Sequence, residues 1–552
     1  MNRRFAVLAF ALLALALAAA VALARQDGGS PEAAAPAPVV RGEGPLALAG
    51  ALELSPSGRE AHADVAAYGN LAFVGKAGGA CPAAGVDVVD VSDPAAPRKV
   101  GETDHHENTS MEDVDALRVG DRDVLAVGLQ RCRGDAPGGR IGLELYDVTD
   151  PARPRRLAFF DVAAYSRDVG GVHELDVTAT PSGRALALLA VPNLERRTAG
   201  PEGRGGTGDL LMVDITDPER PSLLAEWGLM DEPSLGPGAL QTEARGAQGA
   251  VFLHSARAGA DGTVAYLSYW DAGVIILDIS DPAAPRYLGR TAYGPEDEGN
   301  AHSVAEGDGG RLLVQADEDF SPRRLTVTAD ALPGPRPAQP ASFGPDLGDG
   351  LAGETVFVGR GCPGDAYQAD PAGRIALIER GECPFNVKVA LAQEAGATAV
   401  VVYNNVSEEG AMAMGGEDTA ALPGGREVTV TIPSLAVDRE TGLRLREAAP
   451  AALAAAPRFD GWGFLRFWDV RDPARPVPLG TYATPAAADP ALVGQGTWSV
   501  HNPEVRGTVV YASWYSDGVR AIDVSDPGRP REVAAWTGQG APPGAGPVDI
   551  WG

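Results

Sequence analysis

Positive charge, cysteine, histidine and aromatic residues are all scarce in this 552-residue chain. Lys and Arg number 46 against 74 Asp and Glu, giving a formal net charge of −28. A chain this acidic repels phosphate backbones, which excludes nucleic acid as a partner. With 4 Cys, no CxxC and no Cys–His pair at ligand spacing, the sequence offers no sulfur-ligated zinc site. Neither HExxH nor GxSxG occurs, and His173-Glu174 has no second His four residues on. The commonest metalloprotease and serine-hydrolase signatures are therefore missing. Gly-rich stretches such as 200–208 precede no helix, so phosphate loops are absent too. Beyond residue 24 no apolar run is long enough to span a bilayer.

What is abundant is Gly (70) and Pro (45), beside 45 % hydrophobic residues. That mixture suits many short strands and turns around a large core, in a chain too long for one ordinary domain. The first 24 residues read as an export signal. Two arginines lie within Met1–Arg4, an apolar run spans Phe5–Ala24, and the small residues of Ala22-Leu23-Ala24 precede Arg25. The run is also near the length of an uncleaved anchor. Either route takes the rest of the chain out of the cytoplasm, to a secreted, periplasmic or surface location, with membrane contact only through this segment. Residues 25–44, rich in Ala, Pro, Gly and charge, read as a disordered linker.

One phrase recurs six times: VDVVDVSDPAAP (86–97), LELYDVTDPARP (143–154), LLMVDITDPERP (210–221), VIILDISDPAAP (274–285), LRFWDVRDPARP (465–476) and VRAIDVSDPGRP (519–530). Alternating apolar residues make a half-buried strand, and the Pro that follows the second Asp cannot donate to a ladder and ends it. The second Asp of each phrase (Asp93, Asp150, Asp217, Asp281, Asp472 and Asp526) is expected to accept backbone N–H bonds in the turn. Calcium ligation is not expected there, since Pro follows and no further oxygen ligands accompany the pair. Two strands precede each phrase and one follows, so four short strands repeat about every 60 residues, the signature of a propeller blade. Asp278 and Asp469 stand 191 residues apart, so a domain-sized insert of about 130 residues interrupts the fifth repeat. The phrases resemble LVIVD repeats over roughly 46–330 and 460–550. That implies a mostly-β β-propeller, of six blades by the count of phrases. Leu46–Leu54 and Pro547–Gly552 read as strands that would be ragged ends or parts of a seventh blade.

Within the insert, GRIALIERGECPFNVKVALAQEAGATAVVVYNN (373–405) reads as strand, helix and strand, with Gly396 as the helix stop. This stretch resembles a protease-associated (PA) domain of α+β type over about 335–455. PA domains are non-catalytic and mediate protein contacts or restrict substrate access, so the resemblance adds no peptidase. It also implies a Cys362–Cys383 disulfide, which leaves Cys81 to pair with Cys132. By spacing alone three pairings, or two free thiols, stay open. The expected division is 1–24 signal, 25–44 linker, 45–330 and 458–552 propeller, and 335–455 PA insert.

His62, His173, His254, His302 and His501 each fall near the start of a blade's first strand, and His105 and His106 lie just before that strand in blade two. First strands line a propeller's channel, so these residues form a ring at one mouth. Acids recur beside them: Asp64, Glu112, Asp113, Glu174, Asp176, Glu306 and Glu504. The ring admits a structural reading, as hydrogen-bonding residues between blades, and a divalent-metal or acid–base reading. The aromatic loops 268–273 and 513–518 admit packing or ligand contact. Because the insert leaves from the loop after a second strand, it is expected on the histidine face, as lid or docking arm. The leading functional expectation is an exported, non-catalytic platform for protein or peptide partners, without cofactor. The alternatives are a metal-dependent hydrolase or lyase at the histidine ring, and an accessory factor for a protease.

Overall fold

The computed structural model describes residues 46–54, 61–77, 85–132, 139–165, 170–192, 208–229, 232–235, 252–293, 297–348, 350–405, 411–412, 414–537 and 549–551. The expected signal and linker, 1–24 and 25–44, lie outside them, as does Cys81. No helix of the described residues is long and apolar enough to cross a membrane.

The described residues form a β-propeller of six four-stranded antiparallel blades. Blade one is β1 (Ala61–Tyr68), β2 (Leu71–Ala77), β3 (Asp87–Asp90) and β4 (Arg98–Glu102). Blade two is β5 (Thr109–Val119), β6 (Arg122–Arg131), β7 (Gly142–Asp147) and β8 (Arg155–Asp161). Blade three is β9 (Glu174–Ala179), β10 (Ala185–Ala190), β11 (Leu210–Asp214) and β12 (Ser222–Trp227). Blade four is β13 (Leu253–Ala258), β14 (Val264–Tyr269), β15 (Gly273–Asp278) and β16 (Arg286–Arg290). Blade five starts with β17 (Ala301–Gly307) and β18 (Leu312–Asp317), is interrupted, and resumes after the insert.

The insert comprises β19 (Arg323–Ala329), β20 (Arg336–Pro340), β21 (Leu351–Gly359), β22 (Ile375–Glu379), β23 (Ala399–Tyr403), β24 (Thr419–Leu422), β25 (Arg426–Thr429), β26 (Ser434–Val437) and β27 (Ala451–Phe459). It carries two helices, α1 (Phe385–Glu394) and α2 (Arg439–Ala448). Blade five then closes with β28 (Phe464–Asp469) and β29 (Val477–Tyr482). Blade six is β30 (Pro503–Arg506), β31 (Val509–Ser513), β32 (Val519–Asp523) and β33 (Arg531–Trp536).

Each repeated phrase is the third strand of a blade and its turn. All six second Asp side chains accept the N–H two residues on, at 3.1–3.2 Å. The first Asp of each phrase caps its turn in the same way, at 2.9–3.1 Å. A bulge between third and fourth strands recurs in every blade, for instance at Leu145/Tyr146 and Ala521/Ile522, and bends the outer strand. Five apolar clusters fill the spaces between consecutive blades, as where Leu143 and Phe160 meet Val172 and Leu189. Residues 46–54 join no ladder, so the expected strand there is absent. A Cβ added at Gly50 would stand 2.2 Å from the Pro94 carbonyl oxygen, and one at Gly101 would stand 2.1 Å from that of Pro151. The segment thus abuts the turn of blade one as β4 abuts the turn of blade two. At the other end Ile550 makes a single bridge, to Tyr515.

In the insert, β19-β20-β26-β23-β22-β21-β27 close into a barrel. Its central strands β22, β23 and β26 run parallel and are nearly continuous apolar runs, as strands covered on both faces must be. Cys362 and Cys383 are bonded, and Cys132 is also in a disulfide. The barrel is wider than the expected 335–455. Strands β19 and β27 pair from Arg323↔Phe459 to Ala329↔Leu453, with each other and not with blade five.

Candidate functional site at the channel mouth

First strands β1, β5, β9, β13, β17 and β30 pack side by side around the axis. Several are bulged near their first residues. Leu253 pairs with Tyr269 and Ser255 with Ser268, so His254 is an extra residue; His302 is the extra residue between Ala301 and Ser303. A bulge re-aims a side chain that regular pairing would send elsewhere. Here it turns imidazoles toward the mouth.

Four histidines from four consecutive blades form an arc. His173 Nε2 and His254 Nε2 are 2.9 Å apart. Ring centroids follow at 4.0 Å for His254 to His302 and 4.2 Å for His302 to His501. Carboxylates flank the arc: Glu112 Oε2 at 3.8 Å from His173 Nδ1, Glu174 Oε1 at 3.6 Å from His254 Nδ1, and Glu318 Oε2 at 3.5 Å from His302 Nε2. Glu318 Oε1 also lies 3.8 Å from His501 Nε2. Burial, then neighbouring imidazoles, holds His254 and His302 well below their usual range, and burial pushes His501 down to about 3. These rings are neutral at physiological pH.

Aromatic side chains cover the arc. Trp270 stands 5.4 Å from His254 and stacks on Phe252 at 5.4 Å; Tyr515 and Trp551 each lie 5.5 Å from His501. The loops 268–273 and 513–518 therefore supply packing directly against the imidazoles. Tyr515, at φ +33°, is held in a conformation rare for its type, and its hydroxyl donates to Glu318.

Close by lies a charged layer. Arg257 Nη2 donates to Glu174 (3.1 Å) and Nη1 to Asp113 (3.4 Å), with Asp64 4.0 Å away. Asp113, Asp115 and Asp176 each accept a backbone N–H from the next blade, at 2.6–3.0 Å. Burial, then Asp113, pushes Asp64 up to about 7; burial, then Asp176, raises Asp115. One guanidinium faces several closely set carboxylates, so their charged forms are disfavoured.

Of the predicted ring, His173, His254, His302 and His501 come together. His62 is exposed on β1 and belongs to neither potential ligand set described below. His105 and His106 serve elsewhere, bonded to Glu102 (3.1 Å) and Glu144 (2.8 Å). Among the predicted acids, Glu306 and Glu504 sit away from the mouth: Glu306 accepts from Ala260 N, and Glu504 is a surface partner of Arg506. Sequence reasoning missed Glu318, Arg257 and Asp115.

The barrel is rooted at this same end of blade five. Glu318 directly follows β18, and β19 begins at Arg323. Asp460 N donates to Pro322 O, joining the two root segments, and Asp319 N donates to Ser499 Oγ, tying the root to the segment before blade six. A cleft of about 600 Å³ opens at the root, lined in part by Arg324, Arg458, Phe459, Trp462 and Phe464.

The PA-domain family model matches residues 351–445, and the LVIVD-repeat model matches 59–104 and 260–292. A probable leucine aminopeptidase 2 of Aspergillus oryzae is 29 % identical over 147 residues, 26 % of this chain and 29 % of that protein. A probable lipoprotein aminopeptidase LpqL of Mycobacterium tuberculosis is 26 % identical over 205 residues, 34 % of this chain and 36 % of that protein. The solved structure of BSAP, a zinc aminopeptidase from Bacillus subtilis, aligns with 26 % identity and a TM-score of 0.20 over 29 % of this chain and 36 % of its own. The chain thus spans about a third of the length of these relatives. With six Asp-Pro blades and a barrel set into the fifth, it is an LVIVD-repeat β-propeller that carries a PA domain.

Proposed function

We propose that this chain is an exported, non-catalytic interaction protein, in which the propeller is a rigid base and the PA barrel a second contact surface beside the channel mouth. The observation that carries this reading is the rooting of the barrel. It leaves blade five at the histidine end, five residues after Glu318, on a paired two-strand stem. An arm so placed screens the mouth and presents its own surface next to it. Export agrees with the disulfides and with the apolar N-terminal run.

Asp317 and Phe464 are paired neighbours in blade five, so residues 323–459 can be replaced by a short linker without breaking the blade. The test compares this shortened chain with the full chain by quantitative affinity capture from the exported fraction of the source cells. Partners retained by the full chain and lost on barrel removal are the expected result. Identical capture profiles would refute the role given to the barrel.

A further inference from the structure

We infer that the mouth binds one divalent first-row transition-metal ion through His302, Glu318 and His501, and that this ion ties blade six to blade five. This goes beyond the platform reading and does not depend on it.

Two sets of side chains bring one donor atom each within 4.8 Å of one another: Glu174–His254–His302 and His302–Glu318–His501. All five residues are buried. Their separations speak for coordination over direct hydrogen bonding. A charge-assisted N–H···O bond closes to about 2.7–2.9 Å. Here three imidazole–carboxylate approaches stand at 3.5, 3.6 and 3.8 Å. Ligand atoms about 2.1 Å from a tetrahedral ion are about 3.4 Å apart, so the spacing matches a shared ion.

The two rings also converge: His302 and His501, from adjacent blades, both turn Nε2 to Glu318, at 3.5 and 3.8 Å. Two imidazoles and one carboxylate suit zinc, iron, manganese or copper, whereas calcium and magnesium prefer all-oxygen shells.

The His302–Glu318–His501 set is chosen over its neighbour because its carboxylate is held from outside. The Tyr515 hydroxyl donates to Glu318, and Ser303 Oγ donates to the His501 carbonyl at 3.0 Å. Such supporting bonds orient ligands. In the other set His254 is already engaged by His173 at 2.9 Å, and Glu174 by Arg257 at 3.1 Å. His302 and Glu318 belong to blade five and His501 to blade six, so the ion bridges the blade that the barrel interrupts. At 1 %, 3 % and 5 % exposure the three ligands lie too deep for substrate, consistent with a structural ion.

The test uses the untagged full chain. Elemental analysis of the purified protein is expected to give about one equivalent of a transition metal. Chelator-stripped protein, shown folded by tryptophan fluorescence, is then titrated with Co²⁺ and followed by its visible spectrum and by Tm. Binding with a rise in Tm is expected. Glu318→Gln should weaken it at least about 100-fold, while the exposed His105→Ala leaves it unchanged. Absence of both co-purified metal and a cobalt spectrum in the folded chain would overturn the inference. So would binding that survives Glu318→Gln and is lost in Glu174→Gln, which would move the ion to the other set.

Discussion

The disulfide of the barrel allows the two parts of the molecule to be tested separately. Cys362 and Cys383 are 21 residues apart. Loop-closure entropy for that span is worth about 3.3 kcal/mol at 25 °C, or about a 250-fold change in the opening equilibrium. The double substitution Cys362→Ser, Cys383→Ser removes the cross-link and keeps a polar atom near Lys388, whose Nζ lies 3.3 Å from Cys362 Sγ. Burial pushes the Lys388 ammonium down to about 8, so retaining a partner for it matters. All eight tryptophans lie outside residues 323–459, and with Trp462 at the root cleft their fluorescence reports chiefly the propeller. Native-state hydrogen exchange in β21, β22 and α1 should accelerate by about two orders of magnitude, while the tryptophan-detected unfolding midpoint stays put. Unchanged exchange in those strands would show that the cross-link does not limit barrel opening. A shifted tryptophan midpoint would show that barrel and propeller unfold as one unit, against the separation drawn here.

Three further outcomes follow from the same structure. Arg520 is fully buried beside Asp517 and Glu532, so Arg520→Met should cost about 3–5 kcal/mol in tryptophan-detected unfolding, through the stranded acids. Asp64 has a folded pKa of about 7, above its ordinary 3.8, so the folded state holds a proton that the unfolded chain has lost. Stability should therefore fall as pH rises from about 4 to 7, and Asp64→Asn should flatten the Tm profile across that window; an unchanged slope would refute the assignment. A Cβ at Gly442 would stand 2.0 Å from Tyr403 Cβ, so Gly442→Ala should loosen α2 from β23, costing about 1–3 kcal/mol in barrel exchange experiments.

The fold was legible because its turns are written in residues with fixed backbone demands. Each Asp-Pro corner holds its aspartate bonds in every blade, and the 191-residue gap marked the barrel. The ends were less legible: LALAGALEL alternates like a strand yet packs without a ladder. The arc of histidines was readable from its recurrence at first strands. Glu318 was not, because it follows a second strand. Its N–H bonds Asn300 O as that of Trp270 bonds Phe252 O, so the two positions are equivalent. Aligning ADEDF with SYWDA would have exposed an acid where the sister loop has tryptophan. Arg257 was hidden for another reason: its role exists only when blades one to four meet, and no local pattern encodes that.

A repeat protein concentrates its function where its copies disagree. Three residues before the first Asp of each phrase, blades one, two and six carry buried Asp87, Glu144 and Arg520 and blade five the half-buried Arg466, while blades three and four carry Leu211 and Ile275. The charged members are neutralised within or beside their own blade, by Lys76 and Lys99, by Arg140, Arg156 and His106, by Asp317 and Asp297, and by Asp517 and Glu532. Those divergences exchange one closed ion network for another and leave nothing pointing to a ligand. The channel mouth diverges differently. There Nε2 of His302 and of His501 turns to Glu318, and the carboxylates face the arc at 3.5–3.8 Å. Two imidazoles and a carboxylate held apart at 3.5 and 3.8 Å leave room for one more centre between them, which contacts of 3.1 Å and less in those ion networks do not.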